Sequence, residues 1–366
     1  REGIGEHRNK VMEIMSRGGG VGTNGSTLRP RGTLARGVNG KSSGAVSWLN
    51  DIAQLTHLVE QGGSRRGAQM IMLADWHPDI IEFIISKVQN PYILRYLIET
   101  TDDEQIRELA KEKIKFEPLS PEEKAVLEYA INAGDKTIDD YARRLLADGG
   151  RYTVNNPDFF TGANISVAIT KEFMQAVEND EEYALRFPDI ENYDEEQMRY
   201  YNEHWHEVGD VREWPLPVKT YRTIKARDLW NLICTCATYS AEPGIFFIDN
   251  ANEMTNAVAY GQKVVATNPC GEQPLAPYSV CNLGAINLAN MVDKDRKQVD
   301  FEKLKRTVQV AVRMMDNVID ATPYFLEENR RQALGERRIG LGVMGLADML
   351  IYCEKEYGSP EGNELV

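Results

Sequence analysis

The sequence predicts an α/β fold, and three observations carry that expectation. The first quarter alternates helical stretches, glycine-rich loops and short apolar runs. Two later segments, Asn164 to Ile169 and Gly244 to Asp249, have the length and apolar content of buried strands. Phe301 to Ala321 places Leu304, Val308, Val312, Met315, Val318 and Ile319 on one face of a helix.

In chain order, Arg8 to Arg17 reads as a helix that runs into Gly18-Gly19-Gly20-Val21-Gly22. Ala45 to Glu60 reads as the next, with Val46, Leu49, Ile52, Ala53, Leu55 and Val59 three or four apart, and Gly62-Gly63 stops it. Ala68 to Ala74 is a buried strand, and Pro78 opens a helix through Lys87, because proline suits a first helical turn. Residues 91–155 are charged, lack glycine-rich loops and read as consecutive amphipathic helices. There Ser120-Pro121-Glu122-Glu123 has capping-box spacing and Gly149-Gly150 ends the last helix. Leu229 to Tyr239 reads as helical too. The expected organisation is 1–90, a helical insertion 91–155, and 156–366.

Composition narrows the function classes. A chain of 366 residues with net charge −14 and 42% hydrophobic content is a soluble globular protein of one large or two ordinary domains. Its longest apolar runs, Ile80 to Ile85 and Leu346 to Tyr352, fall far short of the ~20 residues that cross a bilayer. With no signal-peptide core at its N-terminus, it is expected to be cytoplasmic. Five cysteines, at 234, 236, 270, 281 and 353, are too few and too uneven for a secreted disulfide scaffold, so any special cysteine should be reactive. The acidic total argues against a polynucleotide partner. Yet residues 1–90 hold 11 Lys/Arg against 8 Asp/Glu, and Ile14 to Asn50 contains Arg17, Arg29, Arg31, Arg36 and Lys41 with no carboxylate. That run suits a small phosphorylated ligand.

The sharpest motif is Asn268-Pro269-Cys270-Gly271-Glu272. If the loop is extended, side chains two apart point the same way and Asn268, Cys270 and Glu272 converge on one ligand. An isolated pentapeptide of this kind is as readily a turn with an incidental thiol. Cys281, eleven residues on, could form a redox pair with Cys270 or simply be packed. Cys234 and Cys236 face apart on a helix and read as core residues. The five histidines form no zinc signature, no metal site is expected, and His204-Trp205-His206 reads as an exposed stretch. Gly18 to Gly22 lacks the dinucleotide-binding glycine spacing, although glycines there allow a ligand to approach the backbone. Gln61-Gly62-Gly63-Ser64-Arg65-Arg66-Gly67 holds paired guanidinium groups in a glycine loop, a costly arrangement without an anion to bind.

Together these segments resemble the catalytic subunit of ribonucleotide reductase. The matching stretches are GGGVGTNGSTLRPRG (18–32), QGGSRRGA (61–68), PGIFFID (243–249), NPCGEQPL (268–275), CNLGAINL (281–288) and RRIGLGVMGL (337–346). The likeness is greatest to the adenosylcobalamin-dependent class. It implies a ten-stranded α/β barrel of two parallel five-stranded halves with a central finger loop, of which this chain carries about the first half plus the finger loop. Alone, such a piece is expected to be inactive.

The same resemblance implies the site. Cys270 would be the transient thiyl radical at the finger tip, deep in a closed cylinder, Glu272 the general base on the 3′-hydroxyl, and Asn268 a hydrogen-bonding partner of the sugar. Cys281 would be one of two reducing thiols, its partner lying upstream of Arg1. Gly19 and Gly20 match backbone positions beside the substrate, Arg29 a holder of effector phosphates, and Gln61 and Arg65 the residues that read effector identity. The implied cofactor is adenosylcobalamin. Implied partners are a ribonucleoside di- or triphosphate, a deoxynucleoside triphosphate effector, a thioredoxin-type reductant, and a second copy meeting the helices at 45–60 and 78–87. The expected activity is reduction of ribonucleotides to 2′-deoxyribonucleotides under allosteric control. Alternatives are a relative that takes its radical from a separate metal subunit, and a truncated nucleotide-binding protein without chemistry.

Overall fold

Every residue of Gln69–Ala74 (β2) is buried, as befits a strand covered on both faces. The computed structural model describes residues 3–35, 40–61, 65–133 and 139–366. In it β2 joins Val21–Asn24 (β1), Asn164–Ile169 (β3) and Gly244–Phe247 (β4) in one parallel sheet of order β1-β2-β3-β4. The mixed α/β content agrees with the expected class. The chain divides into two compact units, 1–274 and 275–366.

The two faces of β2 are buried by different things. Ile71 and Leu73 point into the main core, whereas Met70 and Met72 alternate to the other face and meet Ala168 and Ala266. Helices supply the first cover. Ala45–Leu58 (α2) buries Val46, Leu49, Ile52 and Leu55, and its first N–H bonds Asp79 Oδ2 at 2.8 Å. Ile80–Ser86 (α3) is enclosed except for Glu82. It starts two residues beyond Pro78, which lies in a turn. Glu104–Lys113 and Ala226–Ser240 pack over α3, so it offers no apolar face to a second copy. On α2, by contrast, Trp48 and Leu58 are exposed.

Three sequence expectations are corrected here. Residues 91–155 are not helices throughout: Ile114–Pro118 pairs antiparallel with Gly150–Val154, and the helices surround that hairpin. The Ser120–Glu123 capping box is present with both of its hydrogen bonds. The strand predicted through Asp249 ends at Phe247, where a short helix, Ile248–Met254, begins. Nor is His204-Trp205-His206 an exposed stretch. It lies on Glu195–Val208, and Trp205 is buried against Trp214 at 5.1 Å, Phe187 at 5.3 Å and Trp76 at 6.5 Å between ring centroids. Its indole N–H bonds Thr27 O at 3.0 Å. A helix with one inward face explains the pattern, since only the middle residue of the three points in.

Asp75, just past β2, is fully buried. It accepts hydrogen bonds from the Thr170 N–H and hydroxyl and from Tyr183 OH at 2.9 Å. Burial dominates these contacts and lifts its carboxyl from 3.8 to about 7. A raised folded value means the stabilising state is the protonated one. Stability is fully present below the unfolded value and is lost as pH rises through about 7, by roughly 4 kcal/mol at the limit. Urea unfolding at a series of pH values should therefore show the natural chain losing stability relative to Asp75→Asn between about pH 4 and 7, with little further change above. Parallel curves would refute this account of Asp75.

In the second unit, Asn282–Asn287 (β5) pairs parallel with Ile339–Met344 (β6). Phe301–Ala321 packs on both and buries Met315 and Ile319, while Val308, Val312 and Val318 of the predicted face remain exposed. A small core of Ile286, Leu288, Met291, Met349, Leu350 and Cys353 completes the unit.

Candidate functional site: a clamped cysteine turn

The segment leading to Cys270 runs antiparallel along β1. Asn24 Nδ2 bonds Val265 O at 2.7 Å, Gly22 stands against the Thr267 carbonyl oxygen, and Gly20 stands against Pro269. A Cβ on Gly20 would lie 2.6 Å from Pro269 Cγ, and one on Gly22 would overlap the Thr267 oxygen, so glycine is required at both for this close approach. From the far side, Asn164 Nδ2 at the start of β3 donates to Pro269 O at 2.8 Å. The thiol is thus delivered to the amino-terminal end of the sheet.

There the chain turns. Gly271 N–H bonds Asn268 O at 3.1 Å, which makes Asn268-Pro269-Cys270-Gly271 a β-turn with Pro in its second place and Cys in its third. The turn is closed behind by Asn268, whose N–H reaches Gln273 O at 3.2 Å and whose Oδ1 accepts the Gln273 N–H at 2.9 Å. Gly271, at φ +87°, reverses the backbone before Glu272. The premise of an extended loop is therefore wrong. Asn268, Cys270 and Glu272 lie on a turn, whose geometry proline and glycine dictate, and do not alternate along a strand.

Cys270 and Glu272 are exposed and Asn268 is half-buried. Among the described residues the thiol is not enclosed: the four strands of the sheet back the turn without surrounding its tip. With Oδ1 committed to the loop, Asn268 keeps its amide N–H groups, which have no protein acceptor among the described residues, for a ligand. Gly19 is engaged locally, its N–H bonding Ile14 O at 3.0 Å, while Gly20 is exposed.

Cys281 lies in the second unit, half-buried, one residue before β5, with its Sγ 3.6 Å from Asn282 O. Cys236 is a core residue as expected, its thiol pushed up to about 12 by burial, and Cys353 is buried as well. Among the described residues no group of three His, Cys, Asp or Glu side chains could hold a metal ion, and no helix is long and apolar enough to cross a membrane.

The residues that the resemblance assigns to an effector are less assembled. Arg29 turns to the hydroxyl of buried Tyr201, which burial pushes up to about 12 against the pull of that guanidinium. Glu60–Gln61 pairs antiparallel with Arg65–Arg66, and residues 62–64 lie outside the described residues, as do the side chains of Gln61 and Arg65. The basic run is less unbalanced than its sequence suggests. Arg17 pairs with Glu13 and Arg31 with Glu82, both carboxylates coming from outside the run, and Arg36 lies outside the described residues. Sequence reasoning missed the anchors Asn24 and Asn164, whose role exists only through tertiary contact.

A parallel α/β sheet that holds a clamped, exposed cysteine turn defines a thiol-presenting α/β domain. Residues 2–366 match the family model described as "Ribonucleotide reductase, barrel domain", and the chain belongs to that family. A protein of Thermoplasma acidophilum named vitamin B12-dependent ribonucleoside-diphosphate reductase is 32% identical over 364 residues, all of this chain and 35% of the relative. One of the same name from Mycobacterium tuberculosis is 31% identical over 356 residues, 97% of this chain and 38% of the relative. A Chlamydia pneumoniae protein named ribonucleoside-diphosphate reductase subunit alpha is 29% identical over 350 residues, 94% of this chain and 27% of the relative. The chain spans about a third of the length of the curated relatives it matches.

Proposed function

We propose that this chain is the thiol-presenting part of a ribonucleotide reductase that reduces ribonucleotides to 2′-deoxyribonucleotides and uses adenosylcobalamin. The observation that carries the reading is the built turn, with Cys270 held at the tip by Asn24, Gly20 and Gly22 from one side and Asn164 from the other. Fixing a reacting atom on strands is what such chemistry demands, since small misplacements of a reacting group cost large factors in rate.

In this reading Cys270, once its sulfur-bound hydrogen is removed, takes the hydrogen from C3′ of the ribose and later returns it. Glu272 draws the proton from the 3′-hydroxyl and Asn268 donates its free amide hydrogens to the sugar oxygens. Cys281 supplies one of the two reducing thiols as the 2′-hydroxyl leaves as water, with a thioredoxin-type protein restoring the pair. Gly20 and Gly19 line the approach of the substrate. Arg29, Gln61 and Arg65 answer to a deoxynucleoside triphosphate, and the exposed side of α2 meets a second copy. In the complete protein the sheet closes into a ten-stranded barrel that covers the thiol.

Adenosylcobalamin fits what the site offers. A cofactor whose cobalt arrives already ligated asks for no cluster of protein ligands, and the described residues hold none. When bound, it supplies the radical that takes the Cys270 hydrogen.

The test is turnover of the complete polypeptide with ribonucleoside diphosphates, a dithiol and adenosylcobalamin. Deoxynucleotide formed only when the cobalamin is added supports the reading. Product formed only with a separate metal-containing subunit would overturn the cobalamin assignment, and nucleotide-dependent association without product under either condition would overturn the reductase itself.

A further inference from the structure

One carboxylate ties β5 and β6 together at their amino ends. The Glu336 side chain, only 6% exposed, accepts Ser279 Oγ–H at 2.7 Å, a Gln332 Nε2 hydrogen at 3.2 Å and the Arg338 guanidinium. Gln332 Nε2 also reaches Ser279 Oγ at 3.3 Å. The first residues paired across the strands are Asn282 and Ile339, so Cys281 and Arg338 immediately precede the ladder on adjacent chains. Neighbouring strands stand about 4.8 Å apart.

Direction follows from alternation. Asn282 donates its Nδ2 hydrogen to Met315 O of the long helix at 3.0 Å, so Cys281, the next residue back, turns to the opposite face. Arg338 shares that face by the same register, and the β6 positions that follow on it are Gly340 and Gly342, which leave the surface beside the thiol low. The neighbouring Arg337 is engaged on the helix side, where it holds Asp316 at 2.8 Å and Asp320 at 3.0 Å. Glu336 is nearly enclosed and saturated by its three donors, which leaves Arg338 as the charge presented to Cys281.

We propose that Arg338, oriented by Glu336, is a positioning residue that favours the thiolate of Cys281, its proton passing to water. The inference deepens the reading of Cys281 as a reducing thiol, because the thiolate is the species that exchanges with disulfides and a neighbouring guanidinium stabilises it. Ser279 contributes by pinning the chain two residues before the sulfur to the same carboxylate that aims the arginine.

The test is alkylation of the chain by iodoacetamide across about pH 6 to 10, each cysteine being read by peptide mass spectrometry. In Arg338→Gln the Cys281 profile should move up by about one pH unit, so that alkylation near neutrality slows about tenfold. Arg338→Lys should keep most of the natural rate. Exposed Cys270, in the other unit, is the internal reference and should not change. On the unaltered chain, about 1 M salt should shift Cys281 the same way while sparing Cys270. An unmoved Cys281 profile in Arg338→Gln, or an equal change at Cys270, overturns the proposal; should that variant fail to fold, absence of the selective salt shift does so. The readout follows the thiol and not turnover, so it stands or falls separately from ribonucleotide reduction.

Discussion

Cys270→Ser in the complete protein is expected to lower ribonucleotide reduction by roughly 10⁴-fold or more while nucleotide binding stays near its natural affinity. The oxygen–hydrogen bond of serine is too strong for the residue to be made into a radical that then exchanges hydrogen with a sugar carbon at modest cost. The fold gives no reason for binding to suffer, because Cys270 is exposed in the third place of a turn that serine accommodates. Product assays together with nucleotide titrations check both halves. Turnover retained by the serine variant would remove Cys270 from the chemistry, and loss of binding alongside turnover would point to collapse of the turn.

Gly22→Ala should be the most damaging single methyl in the first unit. The added carbon would overlap the carbonyl oxygen of Thr267, a backbone atom with no rotamer to escape into, so β1 and the cysteine-bearing segment must separate. A cost of about 3 kcal/mol is expected, at the upper end of ordinary overpacking. Urea unfolding measures it directly. Stability within about 0.5 kcal/mol of the natural chain would mean that the segment does not lie along β1 as described.

How much of this was legible depended on whether a feature was local. Asn164–Ile169 and Phe301–Ala321 match the predicted bounds, because a short run rich in Ile and Val suits a buried strand and a sustained three-to-four spacing suits a helix. The hairpin of Ile114–Pro118 and Gly150–Val154 went unread, since its strands are separated by two helices and are half exposed, so no alternation marks them. The helix at Ile248 was hidden because Ile248 continues the apolar run of Gly244–Phe247 without a break.

At the site, the turn was written in Asn-Pro-Cys-Gly, yet the extended reading overlooked that proline after asparagine and glycine after cysteine favour reversal. Nothing local marks Asn24 or Asn164 as its anchors. The apparent basic patch misled because an arginine's partner is chosen by tertiary proximity: Glu82 reaches Arg31 across 51 positions of sequence. The roles of Cys281, Arg29, Gln61 and Arg65 came from family resemblance, not from any pattern in their spacing.

The indole nest around Trp205 makes the two units spectroscopically unequal. All five tryptophans, at 48, 76, 205, 214 and 230, precede Leu275, and none occurs in 275–366. Tryptophan emission, excited selectively over tyrosine, therefore follows the first unit alone during a melt, and an early loss of the β5–β6 unit would pass unseen in that channel while registering fully in far-ultraviolet dichroism.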